Sequence, residues 1–508
     1  MNMSRLLVTL FVTGCMAHQS LIRSASDPSA ACHALNDAYP AQVLFPSAPN
    51  YTVEADAIWN QAGWFDPTCI FVPETAAILA DGVRTLSQSK TPFAVRSGGH
   101  MPVAGHQSIQ QGVMIAMTHF IEKTTVSEPN EFGTSYLRAG AAFRWIDIYA
   151  FLEERGLLAA GGRVSSVGSS LLLGGGLSYF SGTRGWAANQ VVNFEVVTAD
   201  GQILQANANE HADLFWALKG GSNNFGIVTR YDLKTFPTSQ MYGGTVTWAS
   251  EDTQKYLDAQ TAFILPGGGA DDPNAAIMPN FGFDPLTNLT NAGTVLVYAG
   301  PDPNPKALEN FTAIPTTFST VAVQNFTSIV ESTSGYSPRD RRWSFYNTAV
   351  LASADTMDLL YRHVVKNAQQ ILPGVNCSVG AAVQPITTLI QQAARDNGGD
   401  ALNLDPNGGS FVVALIYGNW FDPAYDVKIK EWTDATLSSI EAETKAKGLY
   451  HPFKFLNDAG ITQNPISTYG NGSSLPRMKA VSDKYDPDGV FQTLVPGFKL
   501  GRELHFWN

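Results

Sequence analysis

Charge is scarce in this chain. Lys, Arg, Asp and Glu make up 15% of its 508 residues, against about 25% in ordinary soluble domains. What charge there is leans acidic, with 44 acidic residues facing 32 basic ones and a net charge of −12. With no basic cluster interleaved with aromatics, nothing is available to displace phosphate counterions, and a nucleic-acid surface is excluded. Cysteine is scarcer still, at four residues. No Cys-x-x-Cys or mixed His/Cys cluster has metal-ligand spacing, and His119, His211, His363 and His451 are isolated singles read as structural, so no metal site is expected. No apolar run approaches the roughly 20 residues of a membrane span. There is no internal repeat and no low-complexity linker.

The N-terminus reads as a secretory signal over residues 1–19. Arg5 supplies the positive start and Leu6 to Met16 a short apolar core, with cleavage near Ala17; the alternative is a disordered apolar tail. Six Asn-x-Ser/Thr sequons follow, at Asn50, Asn288, Asn310, Asn325, Asn376 and Asn471, and mark expected N-glycans on a secreted protein. Cys15 leaves with the signal. The remaining odd count leaves one thiol free, and Cys32 with Cys69 is the natural disulfide pair.

Hydrophobic residues are 44% of the chain, enough for large cores, and the length suits two or three folding units. From about 65 to 237, short β-branched runs read as strands: Thr91–Arg96, Val113–Met117, Val191–Thr198 and Gly226–Leu233. Helical stretches lie between them, Ala142–Glu154 and Asn209–Leu218, the second with Asn209 as N-cap, Lys219 in the last turn and Gly220 as its stop. The mixture defines an α+β fold. From 238 to 440 the glycine-rich signatures vanish and alternating runs appear, such as Gly293–Ala299 and Phe411–Trp420, which predict an antiparallel sheet with helices packed on one side. The tail from 441 to 508 is compact again. Leu475, Met478, Val481 and Tyr485 fall at near-helical spacing, and Asp486-Pro487-Asp488-Gly489 forces a turn.

Three signatures carry chemistry. Arg96-Ser97-Gly98-Gly99-His100 directly follows a strand, where small residues let the backbone approach a ligand and successive N–H groups can form an anion nest; an ordinary strand-turn is the alternative. Gly161-Gly162-Arg163-Val164-Ser165-Ser166-Val167-Gly168, followed by Gly174-Gly175-Gly176, is dense enough in glycine to suit a pyrophosphate, or else tight helix–sheet packing. It lacks both the G-x-G-x-x-G spacing of a dinucleotide fold and the Lys-Ser/Thr of a P-loop. The third runs from Asp213 to Thr229, an amphipathic helix, a glycine-rich turn and a buried strand containing Gly226, Ile227 and Val228, with nothing catalytic by composition.

In this order the three signatures resemble the FAD-linked oxidases of the vanillyl-alcohol-oxidase type, with a PCMH-type FAD-binding domain, and more closely the fungal-type berberine-bridge-enzyme-like branch. The tail, with Tyr469-Gly470-Asn471, Arg477 and Lys484 to Phe491, is similar to that branch's terminal module. The resemblance implies a two-part FAD-binding domain from residues 20–237 (its core about 65–237) and 441–508, and a substrate domain over 238–440. It implies cofactor contacts from Arg96, Ser97, Gly98, Gly99, His100, Val164, Ser165, Gly168, Ser169, Gly174, Gly175, Gly226, Ile227, Val228 and Asn471. His100 corresponds to the histidine that the family joins to the flavin 8α-methyl. Where some members add a cysteinyl tether this chain has Val164, so a single covalent link is expected. The implied reaction is hydride transfer from a small-molecule substrate to flavin N5, with O2 regenerating the flavin and yielding hydrogen peroxide.

Three departures qualify the carry-over. The family's Val-Gly-Val-Gly-Gly is here Val167-Gly168-Ser169-Ser170 and one residue shorter. Its Asp-Asn is Asn189-Gln190. The strand that often carries a tyrosine before Leu-Asn reads Phe455-Leu456-Asn457, removing the usual base. Tyr417 and Asp458 are the candidate replacements, Gln384 and Asn457 can orient a substrate but cannot act as bases, and His106 is read as a loop residue. The substrate expected is a secondary-metabolite alcohol, amine or ring system. A carbohydrate oxidase, and a non-redox cyclase or silent scaffold on the same fold, are the alternatives.

Overall fold

A computed structural model describes residues 27–128 and 130–501, so the signal expected at 1–19 lies outside the described residues. Three sheets organise the chain. The first has strand order Val43–Leu44, Cys69–Phe71, Val113–Ala116, Phe93–Arg96, its last three strands parallel. Helix Ala76–Ser89 makes the crossover; Thr75 caps it by accepting from the Ile78 N–H, and Lys90 ends it at φ 54°. All four residues of Val113–Ala116 are buried, as a parallel strand covered on both faces requires. The Cys32–Cys69 disulfide ties helix Pro28–Ala38 to this sheet, and Cys377 is a buried free thiol.

The second sheet is antiparallel, in the order Lys123–Val126, Tyr136–Gly140, Ile227–Lys234, Val191–Val197, Ile203–Asn207. The third has nine strands, with Ala275–Asp284, Cys377–Ile386, Phe411–Trp420 and Arg342–Leu351 adjacent at its centre, and every pairing in it is antiparallel. Helices Thr253–Ile264, Thr356–Ile371 and Asp426–Ala446 cover one face, where Phe281, Val379, Ala381, Ala414 and Ile416 share a core with Tyr256, Leu360 and Trp432. Period two then turns Asn280, Ala382, Gln384, Leu415 and Tyr417 to the opposite face, toward the other two sheets.

Local expectations shift by a few residues. Strands run Phe93–Arg96 and Ile227–Lys234, and the helix expected over Ala142–Glu154 runs Trp145–Glu153. The alternation expected in Phe411–Trp420 does not translate into alternating exposure: all but Tyr417 are buried, because helices cover one face and the first half of the chain covers the other. Asn209 is not an N-cap. The Asn207 side chain accepts from the Asn209 and Glu210 N–H groups, and helix Ala212–Leu218 begins after His211 at φ 49°, with Lys219 already its C-cap.

The tail forms helix Ser474–Tyr485 and is stitched to the first half of the chain. Lys484 and Tyr485 both bond Asp213, at 2.6 and 2.8 Å, while the Asn223 and Asn224 amides donate to the Pro496 and Phe498 carbonyls, each at 2.8 Å. The Asp213–Thr229 signature is thus a docking seam. No helix among the described residues is long and apolar enough to cross a membrane.

Candidate active site

The first signature leaves its strand with a change of direction that glycine permits. Arg96 turns back to pair with Glu54 and donate to Thr118, which anchors the strand end. Gly99 then sits at φ +75°, and a Cβ there would lie 2.3 Å from the Ala57 carbonyl oxygen. A Cβ on Gly98 would lie 2.7 Å from the Gly168 Cα, so the first two signatures touch backbone to backbone. Their hydroxyls meet as well, Ser97 donating to Ser170 at 3.5 Å. This presents His100, whose ring stacks on Trp59 with centroids 4.4 Å apart and planes 15° from parallel. Burial, and secondarily Arg144, push the imidazole down to about 3, so it is neutral across the physiological range.

The second signature divides its labour. Gly161 and Gly162 lie against the Trp145 ring, where any Cβ would enter it, so these two glycines serve packing. Val164, Val167, Gly168 and Ser170 instead line a cavity of about 870 Å³. Asn457 holds the following turn: it accepts from the Gly176 N–H, donates to the Leu171 carbonyl, and would meet a Gly174 Cβ at 2.5 Å. The Ser169 hydroxyl is spent on the Ala141 carbonyl at 2.5 Å, leaving Ser170 as the serine facing the cavity.

The nine-stranded sheet supplies the opposite wall. Tyr417 donates its hydroxyl to Asn280 at 2.8 Å, and burial raises the phenol to about 12. Gln384 bridges two charged groups, its carbonyl accepting from the Arg163 guanidinium and its amide donating to Asp458 Oδ2. Burial is the main influence on the Asp458 carboxyl and raises it to about 7; Arg163 and the Gln384 bond act in the opposite direction. Among the described residues Asp458 Oδ1 accepts no hydrogen bond, and the residue lines the cavity.

Of the residues singled out in the sequence, Ser97, His100, Val164, Gly168, Gly226, Ile227, Val228, Tyr417 and Asp458 line this one cavity. Arg96, Gly98, Gly99, Ser165, Ser169, Gly174 and Gly175 lie behind the lining, where the first five shape or anchor its loops and the last two form the turn that Asn457 and Leu402 pack on. Asn471 is not brought to it: the residue sits at φ 54° in an exposed turn. His106 lies in a loop, as read, and also lines the cavity, packing edge-on to Phe498. Sequence reasoning passed over Trp59, Trp343 and Arg341, which carry no motif, and gave Arg163 no role, although an arginine inside a glycine-dense loop was a legible signal.

The residues fit FAD. The cavity lies in the upper part of the ~300–1,000 Å³ range of cofactor and ligand sites. Its loops approach so closely that a single Cβ would block them, and a neutral histidine lines the cavity beside them. Comparison with known proteins agrees. A family model described as an FAD binding domain matches residues 67–207. The FAD-dependent monooxygenase prx3 of Penicillium roqueforti is 36% identical over 498 residues, covering 95% of this chain and 96% of its own. Among solved structures, the 6-hydroxy-D-nicotine oxidase of Arthrobacter nicotinovorans aligns with a TM-score of 0.72 at 18% identity, over 90% of this chain and 97% of its own. The glucooligosaccharide oxidase of Acremonium strictum, which carries a 6-S-cysteinyl, 8α-N1-histidyl FAD, aligns with a TM-score of 0.73 at 14% identity, over 92% of this chain and 99% of its own. The chain belongs to the FAD-dependent oxidoreductases, the family of its fungal FAD-dependent monooxygenase relatives, and is an enzyme of that class; its fold is the one shared by the solved FAD-linked oxidases.

Proposed function

We propose that this protein is a secreted oxidase that removes two electrons from a small organic molecule, a secondary-metabolite alcohol, amine or ring, and passes them to O2 to give H2O2. Residues 20–237 and 441–508 form its FAD-binding part and residues 238–440 its substrate domain. The observation that carries the reading is Asp458, a buried carboxyl raised to about 7 with one oxygen held by Gln384 and the other open to the cavity. A base poised near the working pH is what abstraction of an O–H or N–H proton requires. Bound FAD supplies the two-electron acceptor. His100, neutral and fixed by its stack on Trp59, is the residue for a single covalent tether, and Val164 offers no second one.

The walls on the substrate side favour an apolar ring over a sugar, with Met278, Tyr336, Trp343, Phe345 and Leu415 presented to the cavity. Secretion is supported by the disulfide, which oxidising compartments preserve. All six sequon asparagines are also exposed, as N-glycan acceptors must be. The test is oxygen consumption by the purified protein on a panel of aromatic alcohols, amines and phenolic ring compounds, with H2O2 and 18O incorporation measured together. Peroxide equal to product supports an oxidase. An oxygen atom retained in product instead, the activity in the name of the Penicillium roqueforti relative, would replace it with a monooxygenase. Neither outcome, with flavin present, would leave the cyclase or silent-scaffold reading.

A further inference from the structure

The cavity is unevenly charged. Among the described residues Arg163 and Arg341 are its cationic side chains and Asp458 the sole carboxylate lining it, and His100 and His106 are held neutral by burial. Arg341 is occupied, donating to Asn419 at 2.8 Å and lying over the Phe421 ring. Arg163 is not. Its guanidinium makes one hydrogen bond, from Nη2 to Gln384, and no carboxylate reaches it within ion-pair distance among the described residues. Guanidinium presents five donors in a planar fork. None of the other Arg163 nitrogens is among the buried atoms left without a partner, and the residue lines this cavity and a small neighbouring one of about 40 Å³. Asp458, on the far side of Gln384, supports the cation only at a distance, and a ligand anion would complete its fork directly.

We propose that Arg163 is the recognition site for an anionic oxygen on the substrate, so that the alcohol, amine or ring oxidised also bears a carboxylate or enolate. The inference rests on the oxidase reading only in taking this cavity as the substrate site. Gln384 ties the cation to Asp458, so a substrate anion seated on Arg163 is held at a set distance from the open carboxylate oxygen. An acid bound here docks through the planar, charge-assisted geometry that guanidinium and carboxylate share. The bound cofactor also carries anionic phosphates, and the experiment separates the two sources.

The test is equilibrium titration of the flavin-loaded protein with benzoate and, separately, with benzyl alcohol, followed by the change in flavin absorbance. Benzoate is expected to bind at least tenfold more tightly, equivalent to about 1.4 kcal/mol. Arg163→Met should abolish that preference with FAD content and melting temperature unchanged, and Arg163→Lys should restore part of it. Equal affinity of the wild type for both probes overturns the proposal without needing any variant. So does a Met variant that keeps the tenfold preference. A Met variant that loses its FAD assigns the guanidinium to the cofactor's phosphates and overturns it too. Binding is read without turnover, so an absence of peroxide production sinks the oxidase reading alone.

Discussion

Gly98 and Gly168, seventy positions apart, meet at their backbones: a Cβ on either would stand 2.7 to 2.8 Å from the other's Cα. The contact joins two glycine-rich loops into one wall. Gly168 has φ −96°, so its glycine is required by space and not by backbone conformation. Gly168→Ala must therefore push the loops apart, at a cost of about 1–3 kcal/mol for overpacking. The purified variant should hold less than a tenth of the wild-type flavin, read from absorbance per polypeptide, with a lower denaturation midpoint. Full flavin content at an unchanged midpoint would show that the contact is incidental.

The neutral, stacked imidazole of His100 leads to a second expectation. Acid precipitation of the wild type should leave a yellow pellet, with the flavin mass on the peptide containing His100. His100→Ala should fold and release its flavin to the supernatant. A colourless wild-type pellet would refute the tether and leave a dissociable flavoprotein.

Asp458 sets the pH dependence. Its carboxyl, raised to about 7 by burial, acts as a base only when ionised, so kcat/KM should climb with pH toward 7 and level off above it. Asp458→Asn keeps the shape but cannot take a proton. It should lower kcat/KM by about 10²-fold or more and remove the rising limb. A variant that retains the limb would assign the titration to another group.

Tyr417 lines the same wall and should behave differently. Its phenol, at about 12, keeps its proton throughout the working range and donates it to Asn280. Tyr417→Phe removes one hydrogen bond, worth about 1 kcal/mol, and should lower kcat/KM less than about tenfold. A loss as large as that of Asp458→Asn would make the tyrosine the base instead.

The Cys32–Cys69 bridge spans 37 positions. Closing a loop of that length restricts the unfolded chain by about 3–4 kcal/mol. The double substitution Cys32→Ser with Cys69→Ser should lose stability of that order in urea, while flavin absorbance under native conditions is unaffected, because the bridge lies on the first sheet away from the cavity lining. Unchanged urea stability would show that the bridge is dispensable.

Much of the fold was legible because its signals are local. Buried β-branched runs marked strands to within two residues, and the alternating run Phe411–Trp420 is a strand of the nine-stranded antiparallel sheet. Misreadings arose where local chemistry competed: Asn207 captured the N–H groups that Asn209 was expected to organise, and the exposed turn at Asn471 has the right residues in the wrong place. Glycine density was ambiguous for the same reason. Gly161 and Gly162 pack on Trp145, and only Gly168 of that loop reaches the cavity.

The sequence by itself determined the class of protein and the cofactor, since these reside in short ordered motifs whose backbone requirements are properties of the residues themselves. The tertiary structure alone decided which polar groups meet in the cavity. Arg163, Gln384 and Asp458 are brought together across separations of 221 and 74 residues. The shift of Asp458 comes from desolvation, which exists only once the chain has closed over it. A carboxylate on a short loop carries no mark in sequence of being buried, and a tyrosine on a strand carries none of having its hydroxyl already committed to a neighbour.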